Sequence, residues 1–164
     1  MEGEKIFKTK TGFCHVFPDK IVLTRDGIVG NISEVMVGNK ISKILLIYCS
    51  LSIYLFYSAF EEYRKERIFQ TIMYSLLGFF LIFGVIKSIN NSAASIIYRD
   101  KIKKVKFKKA ITGLTRSRFE VFFEDEKKKI KKRLIMLPGS LTGGKSETEI
   151  ALEIMKNEKL IINL

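Results

Sequence analysis

Two long apolar runs in the middle of the chain constrain its fold more than any other feature of the sequence. They cover residues 44–60 and 68–86, and neither contains a charged residue. As helices that rise ~1.5 Å per residue, they would span roughly 26 and 29 Å, close to the hydrocarbon thickness of a bilayer. Only the short segment 61–67 separates them. The sequence therefore predicts a transmembrane helical hairpin within residues 44–89.

The alternative for these runs is a helical hairpin buried in a soluble core. A surface or core helix of a soluble protein normally carries a polar stripe, whereas these runs carry only scattered serine, threonine, glutamine and tyrosine. Aromatic side chains also collect towards the loop between the runs, as they do at membrane–water interfaces. Both observations favour the membrane hairpin.

The charge distribution predicts how this hairpin is oriented. The chain of 164 residues has a net charge of +12. Residues 87–164 hold 19 basic and nine acidic side chains, whereas the loop 61–67 holds three of each. Because Lys and Arg near membrane ends collect on the cytoplasmic side, we expect both termini in the cytoplasm. The mixed, polar first segment does not resemble a cleaved leader, so we expect an integral membrane protein.

The segments on either side of the hairpin predict one small β-domain. Within residues 1–43, apolar segments broken by Pro-Asp and Asp-Gly turns predict a β-hairpin. Within residues 90–164, Val105 and Phe107 alternate with lysines, and apolar residues alternate with glutamates over 119–124, which predicts half-buried strands. A helix at about residues 146–157 follows.

These elements together predict an α+β membrane protein. The two-helix hairpin is inserted in a small antiparallel β-sandwich or partly open barrel, and an amphipathic helix closes the domain. Ser146, with Glu149 three residues later, has the spacing of a capping box and is expected to begin that helix.

One motif suggests nucleotide chemistry. Residues 139–146 match the phosphate-binding pattern G-x-x-x-x-G-K-S. Such a loop requires a parallel sheet with helical crossovers, whereas the strands expected here are joined by short turns and only one helix follows. We therefore favour a glycine-rich turn and keep a nucleotide-binding enzyme as the lesser alternative. The four matching residues are Gly139, Gly144, Lys145 and Ser146.

No other motif carries chemistry. Cys14 stands beside His15, the only histidine, but a metal site needs three or four ligands at suitable spacing. Cys14 and Cys49 fall in a predicted cytosolic strand and in a predicted membrane helix, so we expect no disulfide between them. We expect no catalytic residues, no metal, no cofactor and no small-molecule substrate.

The basic side chains after the hairpin form the candidate binding face. One interpretation is a solvated strand face, and another is attraction to the anionic inner leaflet, worth ~1 kcal/mol per Lys or Arg. A third is an acidic protein or a nucleic acid, of which nucleic acid is the least favoured because the aromatics alternate into the core. The candidate residues are Lys103, Lys104, Lys106, Lys108, Lys109, Arg116, Arg118, Lys127, Lys128, Lys129, Lys131, Lys132 and Arg133.

The strand segments resemble a known family of membrane proteins. Residues 96–105, 119–123 and 131–137, with the closing helix, resemble bacterial pleckstrin-homology-like (PH-like) proteins that carry a transmembrane hairpin beside or inside a cytosolic β-domain. Residues 112–116 and 133–141 are similar to small Bacteroidetes proteins of this layout. The resemblance implies a bacterial inner-membrane location. Proteins of this kind sometimes carry the name of a purine-biosynthesis synthase, which we discount because that enzyme is a larger soluble fold.

We therefore expect a non-enzymatic adaptor, scaffold or subunit of a membrane complex. Its expected partners are membrane lipid and either another protein or further copies of this chain. A sensor of anionic lipid or charge at the inner leaflet is the main alternative function.

Overall fold

The chain folds into two units that are separate in their internal packing. The computed structural model describes residues 3–28, 31, 41–111, 115–139 and 144–161. One unit is a helical hairpin at residues 41–90, and the other is a β-domain drawn from residues 1–40 and 91–164. The α+β class, the two apolar helices and the predominantly antiparallel sheets expected from the sequence are confirmed.

The helical hairpin consists of α1 (Ser42–Arg64) and α2 (Ile68–Ser88). Both helices are long and apolar enough, by length and composition, to cross a membrane. Helix α1 extends past the apolar run because the glutamates and arginine that follow are good helix formers. Small residues bring the two helices together, since the Ser52 hydroxyl donates to the Gly78 carbonyl oxygen at 3.0 Å and both residues are buried.

Four strands form the N-terminal sheet, in the order β1-β2-β3-β5 with antiparallel pairing throughout. Strand β5 lies after the helical hairpin in sequence, and Ile97 pairs with Ile21 of β3. The sheet is therefore built from both flanking segments. The strand bounds are β1 Lys5–Thr9, β2 Gly12–Val16, β3 Lys20–Arg25 and β5 Ile96–Tyr98.

Four strands also form the C-terminal sheet, in the order β4-β8-β7-β6. Strand β4 runs parallel to β8 over two residues, and the other pairs are antiparallel. A short 3-10 turn, Arg99–Lys101, connects β5 to β6. The strand bounds are β4 Asn91–Ser92, β6 Ile102–Lys108, β7 Arg118–Glu124 and β8 Ile130–Met136.

The core of the β-domain collects side chains from both sheets and from the closing helix α3 (Gly144–Asn157). Phe119 of β7 is fully buried, with its ring 5.9 Å from the Phe7 ring and 5.4 Å from the Phe107 ring. From α3, Ala151 and Met155 are fully buried in the same cluster. One hydrophobic cluster thus spans both sheets and the helix.

Helix α3 begins two residues before the position that the capping pattern predicts. Ser146 therefore lies inside the first turn, and its prediction as the N-cap is wrong. The backbone explains the early start, because the Gly144 N–H donates to the Gly139 carbonyl oxygen at 3.2 Å. A Cβ on Gly144 would lie 2.5 Å from the carbonyl oxygens of Pro138 and Gly139, so a side chain does not fit at this position.

Candidate functional site

The nucleotide-binding pattern at 139–146 lies only partly within the described chain. Residues 140–143 and the Lys145 side chain are outside the described residues. Strand β8, which precedes the pattern, is antiparallel to β7. At its two described glycines, a carbonyl of the loop accepts the first helical N–H, whereas a phosphate cradle leaves such N–H groups facing the anion. Because residues 140–143 lie outside the described chain, nucleotide binding at this pattern stays a prediction from the sequence.

The candidate basic residues fall into a first group, from Lys103 to Arg118, and a second group, from Lys127 to Arg133. The second group begins at the turn between β7 and β8. The Asp125 carboxylate accepts the backbone N–H groups of Lys127 at 2.8 Å and of Lys129 at 2.9 Å. These hydrogen bonds hold the pKa of Asp125 below its usual value. Lys128 adopts the left-handed region with φ 56°. The turn thus presents three exposed lysines at the tip of the β7–β8 hairpin.

Arg133, at the end of the same basic run, faces the interior instead. It pairs in register with the fully buried Val121, and its Nη1 donates to the Ser92 carbonyl oxygen at 3.1 Å. Its Nε is buried and has no hydrogen-bond partner among the described residues. Burial, with the nearby charge of Arg25, lowers the pKa of Arg133 to about 10. Its place in an outward-facing basic surface is therefore corrected, because neighbouring residues of a strand point to opposite faces.

The first group of basic residues lies mostly on β6 and the outer face of the C-terminal sheet. Lys104, Lys106 and Lys108 are exposed, while Val105 between them is buried. This alternation follows the sequence pattern. Lys106 places its Nζ 5.7 Å from the centroid of the Phe122 ring, a cation–π contact.

Several members of this group already have partners. Arg118 Nε is 3.2 Å from Glu120 Oε1, and Lys103 Nζ is 3.0 Å from Glu124 Oε2. The Arg116 guanidinium lies against Gly139. The candidate basic residues therefore do not form a single face: they are divided among β6, the segment between β6 and β7, strand β7, the β7–β8 turn and strand β8, and Arg133 of β8 faces the interior.

Among the described strands, β6 is an edge of its sheet, and it borders a cleft that sequence reasoning missed. The cleft has a volume of about 690 Å³ and lies between β6 and the residues 158–160 that follow α3. We call it the β6 groove. Its apolar lining comes from Ile102, Val105 and Leu160, and its basic lining from Lys103, Lys104 and Lys159. The alternating lysines of β6 were the available signal, since lysine is a common residue of exposed edge strands.

A network of ion pairs forms one wall of the β6 groove. The Glu158 carboxylate lies 2.9 Å from Lys5 Nζ and 2.8 Å from Arg99 Nη1. Arg99 also donates to the backbone oxygens of Glu158 and Phe17. Because Lys5 and then Arg99 hydrogen-bond to the carboxylate, the pKa of Glu158 lies below its usual value. The acidic side chain of the groove is thus neutralised by two cations.

We expect Glu158→Gln to remove a pH-dependent part of the stability. The unfolded pKa is near 4.5 and the folded pKa is lower, so ionised Glu158 stabilises the fold above that pH. This contribution is lost as the pH falls through the folded pKa. Circular dichroism melts in mild detergent should give a higher Tm for the wild type at neutral pH, and the two curves should converge in acid. Glu153→Gln, on the exposed side of α3, is the matched control; a Tm difference that persists in acid contradicts the expectation.

At the N-terminal sheet, His15 lies within hydrogen-bond distance of two other side chains, a grouping that the sequence pattern did not predict. His15 Nδ1 is 2.7 Å from Glu4 Oε1, and His15 Nε2 is 3.2 Å from Thr24 Oγ1. Carboxylate, imidazole and hydroxyl are the groups of a nucleophilic relay. Glu4 and His15 lie outside the β6 groove. Within the described ranges, no group of three His, Cys, Asp or Glu side chains could hold a metal ion.

The structure therefore offers three features from which a function can be argued: the β6 edge with its groove, the Glu4–His15–Thr24 side chains, and the pair of apolar helices. Comparisons of this chain with protein-family models, with curated proteins and with solved structures found no match.

Proposed function

We propose that this chain is an integral protein of the bacterial inner membrane and acts as a non-enzymatic adaptor or scaffold. In this proposal its β-domain is cytosolic and PH-like, and it presents the β6 edge and groove to a partner protein. The observation that carries the proposal is the open, lysine-rich edge strand beside an apolar-floored groove. Exposed sheet edges and adjacent grooves are a recurrent means of binding extended segments.

The outward faces of α1 and α2 support the membrane location. Large apolar side chains cover these faces, with Leu46 68%, Phe80 73% and Phe83 62% exposed. Soluble monomers rarely expose contiguous apolar patches above several hundred Å². Hydrocarbon is the solvent that such a surface suits, because each helix satisfies its own backbone hydrogen bonds.

The arrangement of sheets and helix in the β-domain supports a PH-like architecture. Two four-stranded sheets share one core, and α3 contributes to that core at the end of the chain. This arrangement agrees with the sandwich or partly open barrel that the resemblance implies.

Labelling of introduced cysteines tests the topology. We expect Lys65→Cys, between the apolar helices, to react with a membrane-impermeant maleimide on intact spheroplasts. We expect Lys128→Cys, in the exposed β7–β8 turn, to react only after the membrane is permeabilised. The native Cys14 should not react in either case, since it is fully buried and burial raises the pKa of its thiol. The reverse pattern would contradict cytosolic placement of the β-domain.

Site-specific photo-cross-linking tests the adaptor role. A photoreactive amino acid at Lys106, on the β6 edge strand, should give a discrete adduct with one protein in cells. The same amino acid at Lys128 is the matched control, because that residue is also exposed and basic but lies in the β7–β8 turn, outside the groove lining. The adduct at 106 should disappear in a Lys104→Glu background. Equal adducts at both positions, or none at either, would argue against the proposal.

The Glu4–His15–Thr24 geometry favours a second candidate function, hydrolysis with the Thr24 hydroxyl as nucleophile. Thr24 Oγ1 also lies 3.4 Å from the Phe13 carbonyl oxygen, to which its hydroxyl can donate a hydrogen bond in place of His15. Hydrolysis of an activated ester by the wild type and by Thr24→Val separates the candidates. A rate that falls with Thr24→Val supports hydrolysis, and identical rates support the adaptor role.

A further inference from the structure

The backbone of β6 offers hydrogen-bonding groups that the described residues leave open. Strand β6 pairs with β7 along one side, and it is the last strand in its sheet order. In such a strand, alternate N–H and C=O groups point away from the sheet. The register shifts between Ile102 and Lys104, so the regular part of the edge is the run from Lys104 to Lys108. That run can accept one further strand.

The groove beside this edge has the form needed by alternate side chains of an added strand. Ile102 and Val105 of β6 and Leu160 after α3 supply its apolar lining. Side chains of a strand alternate between two faces, so alternate residues of an added segment that lie beside Lys104 and Val105 would face the groove. The volume of about 690 Å³ accommodates several such side chains.

Backbone hydrogen bonds at the C-terminal end of α3 hold Lys159 in place on the wall of the groove. Lys159 adopts the left-handed region with φ 56°, and its N–H donates to the Lys156 carbonyl oxygen at 2.8 Å. The Leu160 N–H donates to the Met155 carbonyl oxygen at 3.0 Å. These two bonds form a Schellman motif, which places Leu160 against the core and Lys159 on the exposed rim.

The charge of this surface selects an acidic occupant. Lys104, Lys108 and Lys159 are exposed and make no ion pair with the described residues. The groove's own acidic side chain, Glu158, is occupied by Lys5 and Arg99. A second copy of this chain is a poor occupant, because two β6 edges would bring like-charged lysines together across the new pair.

We propose that the β6 edge and groove bind an extended acidic segment of a partner protein as an added β-strand. Its backbone pairs with β6, its alternate apolar side chains enter the groove, and its carboxylates meet the lysines. This inference rests on the adaptor function proposed above and names the chemistry of the partner at the same site.

Peptide binding to the full-length protein in mild detergent tests this inference. The probe is a fluorescent peptide of about ten alternating glutamate and valine residues, and binding is followed by anisotropy. One control peptide has lysine in place of glutamate. Another keeps the glutamates but carries N-methyl groups at alternate residues, which removes strand hydrogen bonds without changing charge. We expect the unmodified acidic peptide to bind at least about tenfold more tightly than either control.

Two charge-reversal variants locate the binding. Lys104→Glu with Lys108→Glu alters the β6 edge, whereas Lys127→Glu with Lys129→Glu makes an equal charge change in the β7–β8 turn, outside the groove lining. We expect the first pair to raise the Kd about tenfold or more and the second pair about twofold at most. Lys159→Gly is a third variant: glycine accommodates the left-handed turn, so a raised Kd would report the lost charge with the fold retained.

The outcomes separate this inference from the adaptor proposal. Equal binding of the N-methylated peptide, or equal effects of the two charge reversals, would show attraction by charge alone and overturn strand addition. If no acidic peptide binds while the cross-link from position 106 persists, the inference fails and the adaptor proposal stands. If no acidic peptide binds and the cross-link from position 106 is also absent, both the strand-addition inference and the adaptor proposal are wrong. Binding only to anionic vesicles, abolished equally by both charge reversals, would assign the lysines to lipid and also overturn the inference.

Discussion

Replacing Phe119 with alanine is expected to lower the free energy of unfolding of the β-domain by about 3–5 kcal/mol. Phe119 is fully buried and lies edge-on to the Phe7 ring of the other sheet. Its removal leaves a cavity at the centre of the shared core, where neighbours from both sheets and α3 cannot all collapse inwards. Phe13→Ala is the matched control. Because Phe13 is 36% exposed, this substitution should lower the free energy of unfolding by less than about 1.5 kcal/mol.

Cys14 is a native probe for this measurement. Its thiol is fully buried in the β-domain, so in a Cys49→Ser background its reaction with a thiol reagent reports opening of the domain. Because about 1.4 kcal/mol corresponds to tenfold in an equilibrium constant, Phe119→Ala should accelerate labelling by at least about a hundredfold. Equal labelling rates for Phe119→Ala and Phe13→Ala would show that the shared core does not hold the two sheets together.

The second large effect is expected for Gly12→Ala, which should destabilise the β-domain by about 3 kcal/mol or more. Gly12 begins β2 with φ +148°, and an added Cβ would lie 2.2 Å from the Thr24 carbonyl oxygen and 2.9 Å from the Asp26 nitrogen. These are backbone atoms of the adjacent strand and its turn, so they cannot move aside without breaking the pairing of β2 with β3.

Gly27→Ala is the control that separates conformational strain from collision. Gly27 also has a positive φ, +70°, but an added Cβ would meet no atom of the described residues within 4 Å. Gly27→Ala is therefore expected to lower the free energy of unfolding only by the strain of a non-glycine residue in the left-handed conformation, about 1–2 kcal/mol. Cys14 labelling should be clearly faster in Gly12→Ala than in Gly27→Ala. Similar rates in the two variants would mean that the close approach at Gly12 relaxes at little cost.

Some of the fold follows from local sequence pattern. The apolar runs at 44–60 and 68–86 predicted α1 and α2 because no charge interrupts them. The alternation over β6 and β7 predicted which side chains are inside, since Val105 and Phe119 are buried and the lysines beside Val105 are exposed. Strand β1 was missed because its KIFKT sequence contains only two apolar residues, too short an alternation to stand out.

The inward direction of the Arg133 side chain is a feature that the local sequence pattern did not predict. Residues 127–133 are nearly all basic, and polar side chains at successive positions give no preference for one face. The pairing register of β8 with β7 determines which face Arg133 lies on, because it places Arg133 opposite the buried Val121. A shift of one residue would turn Lys132 inwards instead.

The sequence by itself determined the apolar helices, the alternating strands and the excess of basic charge, because each depends on residues close together in the chain. Only the tertiary structure decided that β6 is a sheet edge and that Leu160 lies across a groove from Val105. Those features depend on strand order and on the packing of α3, which join segments far apart in sequence. The physical reason is that periodicity records which face of an element is apolar, whereas neighbours are selected by burial over the whole domain.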